Sequence, residues 1–245
     1  MNQTNMTTYQ VMMDIFKNGN ETDFHNIIQK EGDSDLTNMN TFARWCIEFD
    51  KLPMMKMLIE TYHFDPSQNN NDIMDDSARI GSSAMTQLLR DYLVDEINEK
   101  NINERSLIVS CSAGNFENVK LLLNYGLDPN LKNGQLLKIA LESSTYSCKY
   151  DPDYIQSNNY RVIKLLIESG CDINCQDGLP LKLAIKHHNY EVTKLLLTSG
   201  ANVDYINNNN NNDNNINNNT NKLYELLFQH NVDPIAILNL IVNNK

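Results

Sequence analysis

Cys171 and Cys175, with His187 and His188 shortly after them, are the residue types that bind zinc or build a thiol nucleophile. A zinc site with a sequence signature joins two short elements, each carrying a closely spaced pair of Cys or His ligands. Here the Cys pair is spaced i, i+4 in what reads as a turn, and no second Cys pair answers it. A thiolate nucleophile needs a histidine beside it in space, yet no motif singles out any of His25, His63, His187, His188 or His230. The plainer role for Cys171 and Cys175 is that of small turn residues touching the next unit of structure. Asp75–Asp76, Asp95–Glu96, Asp151 and Asp153 need nothing beyond a solvated face, a loop or the first turn of a helix. The 9 glycines form no phosphate-cradling loop and fall mainly where helices should end. No catalytic residue, metal, cofactor or small-molecule substrate is therefore expected.

The chemistry that remains is that of contact surfaces. Residues 144–157 carry Tyr146, Tyr150 and Tyr154 among small polar residues. Rigid amphipathic rings of this kind supply contact area at low entropic cost in binding loops. An ordinary neutral insertion in a surface loop is the competing account.

The elements that must position these residues recur along the chain. Gly114–Asn115–Phe116–Glu117–Asn118–Val119–Lys120–Leu121–Leu122–Leu123 ends at Gly126, and close copies run from Asn158 to Gly170 and from His188 to Gly200. With the lysine before the double leucine as a ruler (Lys120, Lys164, Lys194), weaker copies fall at Gln87, Lys56 and Asn26. The steps are 30, 31, 33, 44 and 30 residues. A fixed period of this size marks a solenoid of stacked repeats. Within one unit, Leu181, Leu183, Ala184 and Ile185 make a short first helix, and small Ala184 allows a neighbour to approach. His188–Asn189 turns the chain, and Val192, Leu195 and Leu196 give a second helix one buried stripe. Gly126, Gly170 and Gly200 should end their helices at positive φ, which glycine occupies without strain. Each is followed by an Asx-rich turn.

Leu179–Pro180–Leu181–Lys182–Leu183–Ala184, Gly114–Asn115, Val119–Lys120–Leu121–Leu122–Leu123 and Gly200–Ala201–Asn202–Val203–Asp204 together resemble the ankyrin repeat family. Its unit is helix, turn, helix and a projecting finger. The resemblance covers about 104–204 well and runs on in degenerate form from 9 to 103. Arg105 and Ile108, Gln135 and Lys138, and Leu179 and Lys182 stand where the family places an opening Thr and His, which implies a less rigid array. The third unit departs most, with Asp75–Asp76 expected at the start of its first helix and Leu93 replacing the terminal glycine. The resemblance implies an all-α solenoid of ankyrin type, with about six repeats plus a C-terminal capping repeat. Degenerate repeats span 1–103 and well-formed ones 104–206 with the insert 144–157. The stretch 207–221, where 12 of 15 residues are Asn, should be a disordered loop. A capping repeat occupies 222–245, where Asp233–Pro234 reads as a helix start.

Composition narrows the partner. Net charge is −11, with 19 acidic against 10 basic residues over 1–126 and 12 against 10 thereafter. That balance argues against nucleic acid and anionic membranes. The polar start of the chain reads as no secretory signal, no apolar run is long enough to span a bilayer, and five scattered cysteines suit a reducing cytosolic or nuclear compartment. The resemblance implies a protein partner, held by the fingers and the first helices. By position these surfaces include Asn130, Lys132, Gln176 and Asp177 on fingers, and Ser112, Glu142, Lys186 and His187 on first helices. The expected function is a non-catalytic scaffold or adaptor. Alternatives are a ubiquitin-ligase substrate adaptor, or a degenerate repeat copy without a dedicated partner. Deleting Thr145–Gln156 should leave helicity and melting nearly intact while weakening partner capture in a pull-down. Full capture by the deletion would reduce the insert to a neutral addition.

Overall fold

A computed structural model of the chain describes residues 8–31, 36–93, 99–143, 157–207, 226–230 and 232. Every regular element among them is a helix, and none is long and apolar enough to cross a membrane. The chain forms two compact units, Met1–Val109 and Ser110–Lys245.

The first unit contains α1 (Thr8–Asn18), α2 (Glu21–Glu31), α3 (Leu36–Glu48), α4 (Leu52–Glu60), α5 (Gln68–Ile80) and α6 (Ser83–Leu93), and α7 (Glu99–Ala113) starts within it. Consecutive helices pair as hairpins: α1 with α2, α3 with α4, α5 with α6. First helices stack on first helices (α1, α3, α5) and second on second (α2, α4, α6). Each hairpin is too thin to cover its own apolar face, so burial is completed by the next hairpin along. The unit is filled by large rings where a regular repeat would use leucine. Phe16 lies 4.9 Å from Phe24, 5.3 Å from Phe42 and 5.1 Å from Trp45, centroid to centroid. Met54, Met55, Leu58, Met74, Met85 and Leu89 complete a buried cluster. Unbranched methionine fills the irregular gaps that mismatched rings leave.

Asp75 and Asp76 sit in the middle of α5, not at its start, because the helix begins at Gln68. They are tied to the helices on either side. Arg44 of α3 reaches Asp76 at 2.9 Å, Arg79 also pairs with Asp76, and Arg105 of α7 pairs with Asp75. Burial pushes the Asp75 carboxyl above its ordinary range, and Arg105 works against that shift.

The second unit holds α8 (Phe116–Asn124), α9 (Leu131–Ser143), α10 (Asn158–Glu168), α11 (Cys175–Lys186), α12 (Tyr190–Thr198) and the short α13 (Asp204–Asn207). The same two layers recur: α9, α11 and α13 stack, and α8, α10 and α12 stack beside them. Close approach needs small residues at one level of each first helix. Cys46, Ser77, Ser110, Ala140 and Ala184 all lie buried there. The turn into the second helix repeats as well. Lys51 N–H bonds Cys46 O at 2.7 Å, Asn115 N–H bonds Ser110 O at 2.9 Å, and Asn189 N–H bonds Ala184 O at 3.0 Å. Asn115 and Asn189 then cap α8 and α12, accepting from Asn118 N–H and Val192 N–H. In the fifth repeat the cap is Ser157, which accepts from Tyr160 N–H at 3.2 Å. The equivalence of Asn159 with Asn115 suggested by sequence is therefore corrected: α10 begins two residues sooner, and Asn159 lies inside it.

Of the expected capping repeat, residues 226–230 and 232 are described. His230 N–H bonds Leu227 O at 3.1 Å, as His188 N–H bonds Ile185 O at 2.9 Å. The Asn-rich stretch beyond Asn207, Asp233–Pro234 and the end of the chain lie outside the described residues.

The helix-ending glycines have the backbone expected of them: φ is +84° at Gly126, +86° at Gly170 and +93° at Gly200. A Cβ at Gly170 would meet nothing within 4 Å, so the backbone conformation alone opposes a side chain there. Gly170→Val should lower stability by about 1–2 kcal/mol, read as a shifted urea midpoint, whereas an unchanged midpoint would deny the glycine this role.

Candidate interaction surface

Three fingers open on an Asx turn, and in the first two a left-handed backbone turn follows it. Asp128 Oδ1 accepts from Asn130 N–H at 2.8 Å, Asp172 Oδ1 from Asn174 N–H at 2.8 Å, and Asn202 Oδ1 from Asp204 N–H at 2.9 Å. The backbone then passes through three successive left-handed residues, Lys132–Asn133–Gly134 and Gln176–Asp177–Gly178, with φ from 49° to 78°. For Lys132 and Gln176 this conformation is strained. It aims the chain back toward the stack, where the right-handed helix resumes. Pro180 fits that first right-handed turn, where a missing N–H costs no intrahelical bond.

Side-chain amides tie each finger to the next. Asn130 donates through Nδ2 to Gly170 O at 3.1 Å and accepts from Asp172 N–H through Oδ1 at 2.6 Å. Asn174 Oδ1 repeats the second bond one finger later, accepting from Asn202 N–H at 2.8 Å. Gln176 Nε2 reaches back to Asn133 O at 2.9 Å. The fingers also interlock through their glycines. A Cβ at Gly134 would lie 2.3 Å from Cys175 Sγ, and one at Gly178 would lie 2.8 Å from Tyr205 Cβ. Glycine at these points is thus required twice, by φ and by space.

Asn130 is accordingly occupied in holding the array, and Gln176 shares that work while its side chain remains exposed. Lys132, Asn133 and Asp177 are exposed on the fingers. Lys186 and His187 are half-buried at the far end of α11, about 10 Å along the helix from its right-handed start. On the first helices, Ser112 and Glu142 are exposed. The structure therefore divides the expected contact residues into a finger set and a helix-end set. Tyr146, Tyr150 and Tyr154 lie outside the described residues.

A further finger escaped sequence reading. His63–Phe64–Asp65–Pro66–Ser67 follows α4, with His63 at φ +54° and Asp65 Oδ1 accepting from Ser67 N–H at 2.9 Å. Its signal is the Asp–Pro pair shared with Asp128–Pro129. One extra residue after the helix moves it out of step with the lysine ruler.

The thiols are built for packing. Burial pushes Cys111 and Cys171 up to about 12, and it also raises Cys46 and Cys175. Neutral thiols make poor nucleophiles and poor metal ligands. Cys175 packs on Gly134 of the preceding finger. Among the described residues no group of three or more His, Cys, Asp or Glu could hold a metal ion.

Replacing Asn130 by Ala removes both bonds to the next finger and leaves the Asp172 amide to solvent. Urea unfolding should report a loss of about 1–2 kcal/mol, larger than for Asn174→Ala, which removes one such bond. Equal and negligible losses would mean that water replaces the amides without cost.

Residues 154–207 match the family model described as Ankyrin repeats (3 copies). No curated protein and no solved structure gives a significant match to the chain. Repeats of this kind are generally protein–protein interaction modules and typically non-catalytic. The paired helices, the positive-φ glycines and the bonded fingers fit that repeat, and the match identifies residues 154–207 as ankyrin repeats.

Proposed function

We propose that the chain is a non-catalytic adaptor that holds a single protein partner against the fingers and first helices of residues 104–206. The observation that carries this reading is the state of the two fingers. Their backbones share one left-handed shape and are joined by side-chain amides, while Lys132, Asn133, Gln176 and Asp177 remain exposed on them. A surface ordered before binding gives up little entropy when a partner arrives. Buried neutral thiols suit a reducing cytosolic or nuclear setting. The tyrosine-bearing insert is the second proposed contact.

The test is capture from a lysate of the native host on the immobilised full-length chain, with mass spectrometry of the bound fraction. The wild type should capture one protein saturably. A Lys132→Gly/Asp177→Gly variant keeps a residue that accepts positive φ and should melt like the wild type, yet retain about tenfold less partner. Absence of any saturable capture would overturn the adaptor reading, and equal capture by the variant would remove the fingers from it.

A further inference from the structure

Two successive first helices treat the same surface position differently. On α9, Lys138 is answered one turn later by Glu142 at 3.9 Å. The equivalent pair on α11 is Lys182 and Lys186, so a second base stands where the acid was. Like charges four residues apart repel across one turn of helix. The dipole at the end of α11 favours Lys186 where it stands, but Lys182, one turn inside, gains nothing comparable. Neither lysine has an ion pair among the described residues, and neither does Lys132 on the adjoining finger. In the second-helix layer of the same unit, by contrast, Arg161 is met by Glu117 at 3.6 Å and Lys164 by Glu168 at 3.7 Å. Three acids in the surrounding elements do not pair with Lys182 or Lys186: Glu142 faces Lys138, Asp177 sits on the finger at the opposite end of α11, and Glu191 stands in the first turn of α12, where it acts on Tyr160.

We infer that the outward face of α11, with Lys138 of α9 beside it, receives an acidic peptide segment of the partner, whose carboxylates supply the counter-charges for Lys182 and Lys186. This rests on the protein-binding reading above and names the chemistry of the segment bound. Both lysines are half-buried, so their aliphatic stems lie on the protein while the ammonium groups reach solvent. α9 and α11 pack at about 10 Å, a spacing that one extended peptide crosses in three residues. The chain's net charge of −11 opposes such a ligand at long range. At physiological salt, however, charges beyond about 8 Å are screened and the local lysines decide.

The probe is a fluorescently labelled peptide of about twelve residues rich in Glu, compared with the same peptide carrying Gln, in anisotropy titrations on the full-length protein. The Glu peptide should bind, more weakly as salt rises, and the Gln peptide should not. Lys182→Glu/Lys186→Glu should weaken binding by about tenfold or more. Lys120→Glu/Lys194→Glu reverses two exposed charges of the second-helix layer and should change it by less than about twofold. Circular dichroism melts check that both variants are folded. No binding of the Glu peptide, equal binding of the Gln peptide, or equal loss in both variants would overturn the inference. A host partner captured equally by wild type and Lys182→Glu/Lys186→Glu would sink the acidic-segment inference alone. Failure to capture any partner would sink the adaptor reading beneath it.

Discussion

A loop that projects from a stack of helices has few neighbours, yet its backbone groups still need hydrogen-bond partners. In this chain a side-chain amide from the preceding finger supplies one. Asn130 and Asn174 each accept the N–H two residues past the next glycine, and Asn130 also donates to that glycine's carbonyl. A neutral amide is the right tool, because it can donate and accept from a single planar group. The bridge brings adjacent fingers close enough that Gly134 and Gly178 are the residues that fit. Finger shape, glycine placement and the exposure of Lys132 and Asp177 all follow from that contact.

Residues 104–206 were legible because single residue types carry single jobs there. Leucine pairs fill the stripe of the second helix, and glycine ends it at positive φ. The left-handed turns at Lys132–Asn133 and Gln176–Asp177 were not legible, since neither pair is glycine and only the neighbouring finger holds them in place. The start of α10 was misread because Asn158–Asn159 imitates the Asn cap of its neighbours, while Ser157 supplies the oxygen actually used. The boundaries of α5 were missed for want of local punctuation. Asp75 and Asp76 look like first-turn acids until Arg44 and Arg105 arrive from other helices. The packing of the first unit rests on ring shape around Phe16, which is a matter of volume that no periodic pattern records.

Within Met1–Val109 acids and bases answer each other across successive first helices, through Arg44, Arg79 and Arg105 on one side and Asp72, Asp75 and Asp76 on the other. The arginines are exposed while Asp75 and Asp76 are half-buried, and the pairs leave the helix faces locally neutral. Helix α7, which carries Arg105, buries three polar side chains, Asn103, Ser106 and Ser110. Buried polar groups weaken an element unless each finds a partner, and Ser106 Oγ has none among the described residues. The regular repeats that follow have no such stripe and are held mainly by leucine, valine and isoleucine.

The amide bridge from Asn130 spans 42 residues of sequence and that from Asn174 spans 28, yet the two are the same bond between the same backbone positions. Spatial order in the array is thus set by contact and is blind to how much chain lies between the contacting groups. A gene encoding such a protein can gain codons between two helices without displacing anything downstream. New sequence can accumulate beside an unchanged surface and be tried there one insertion at a time.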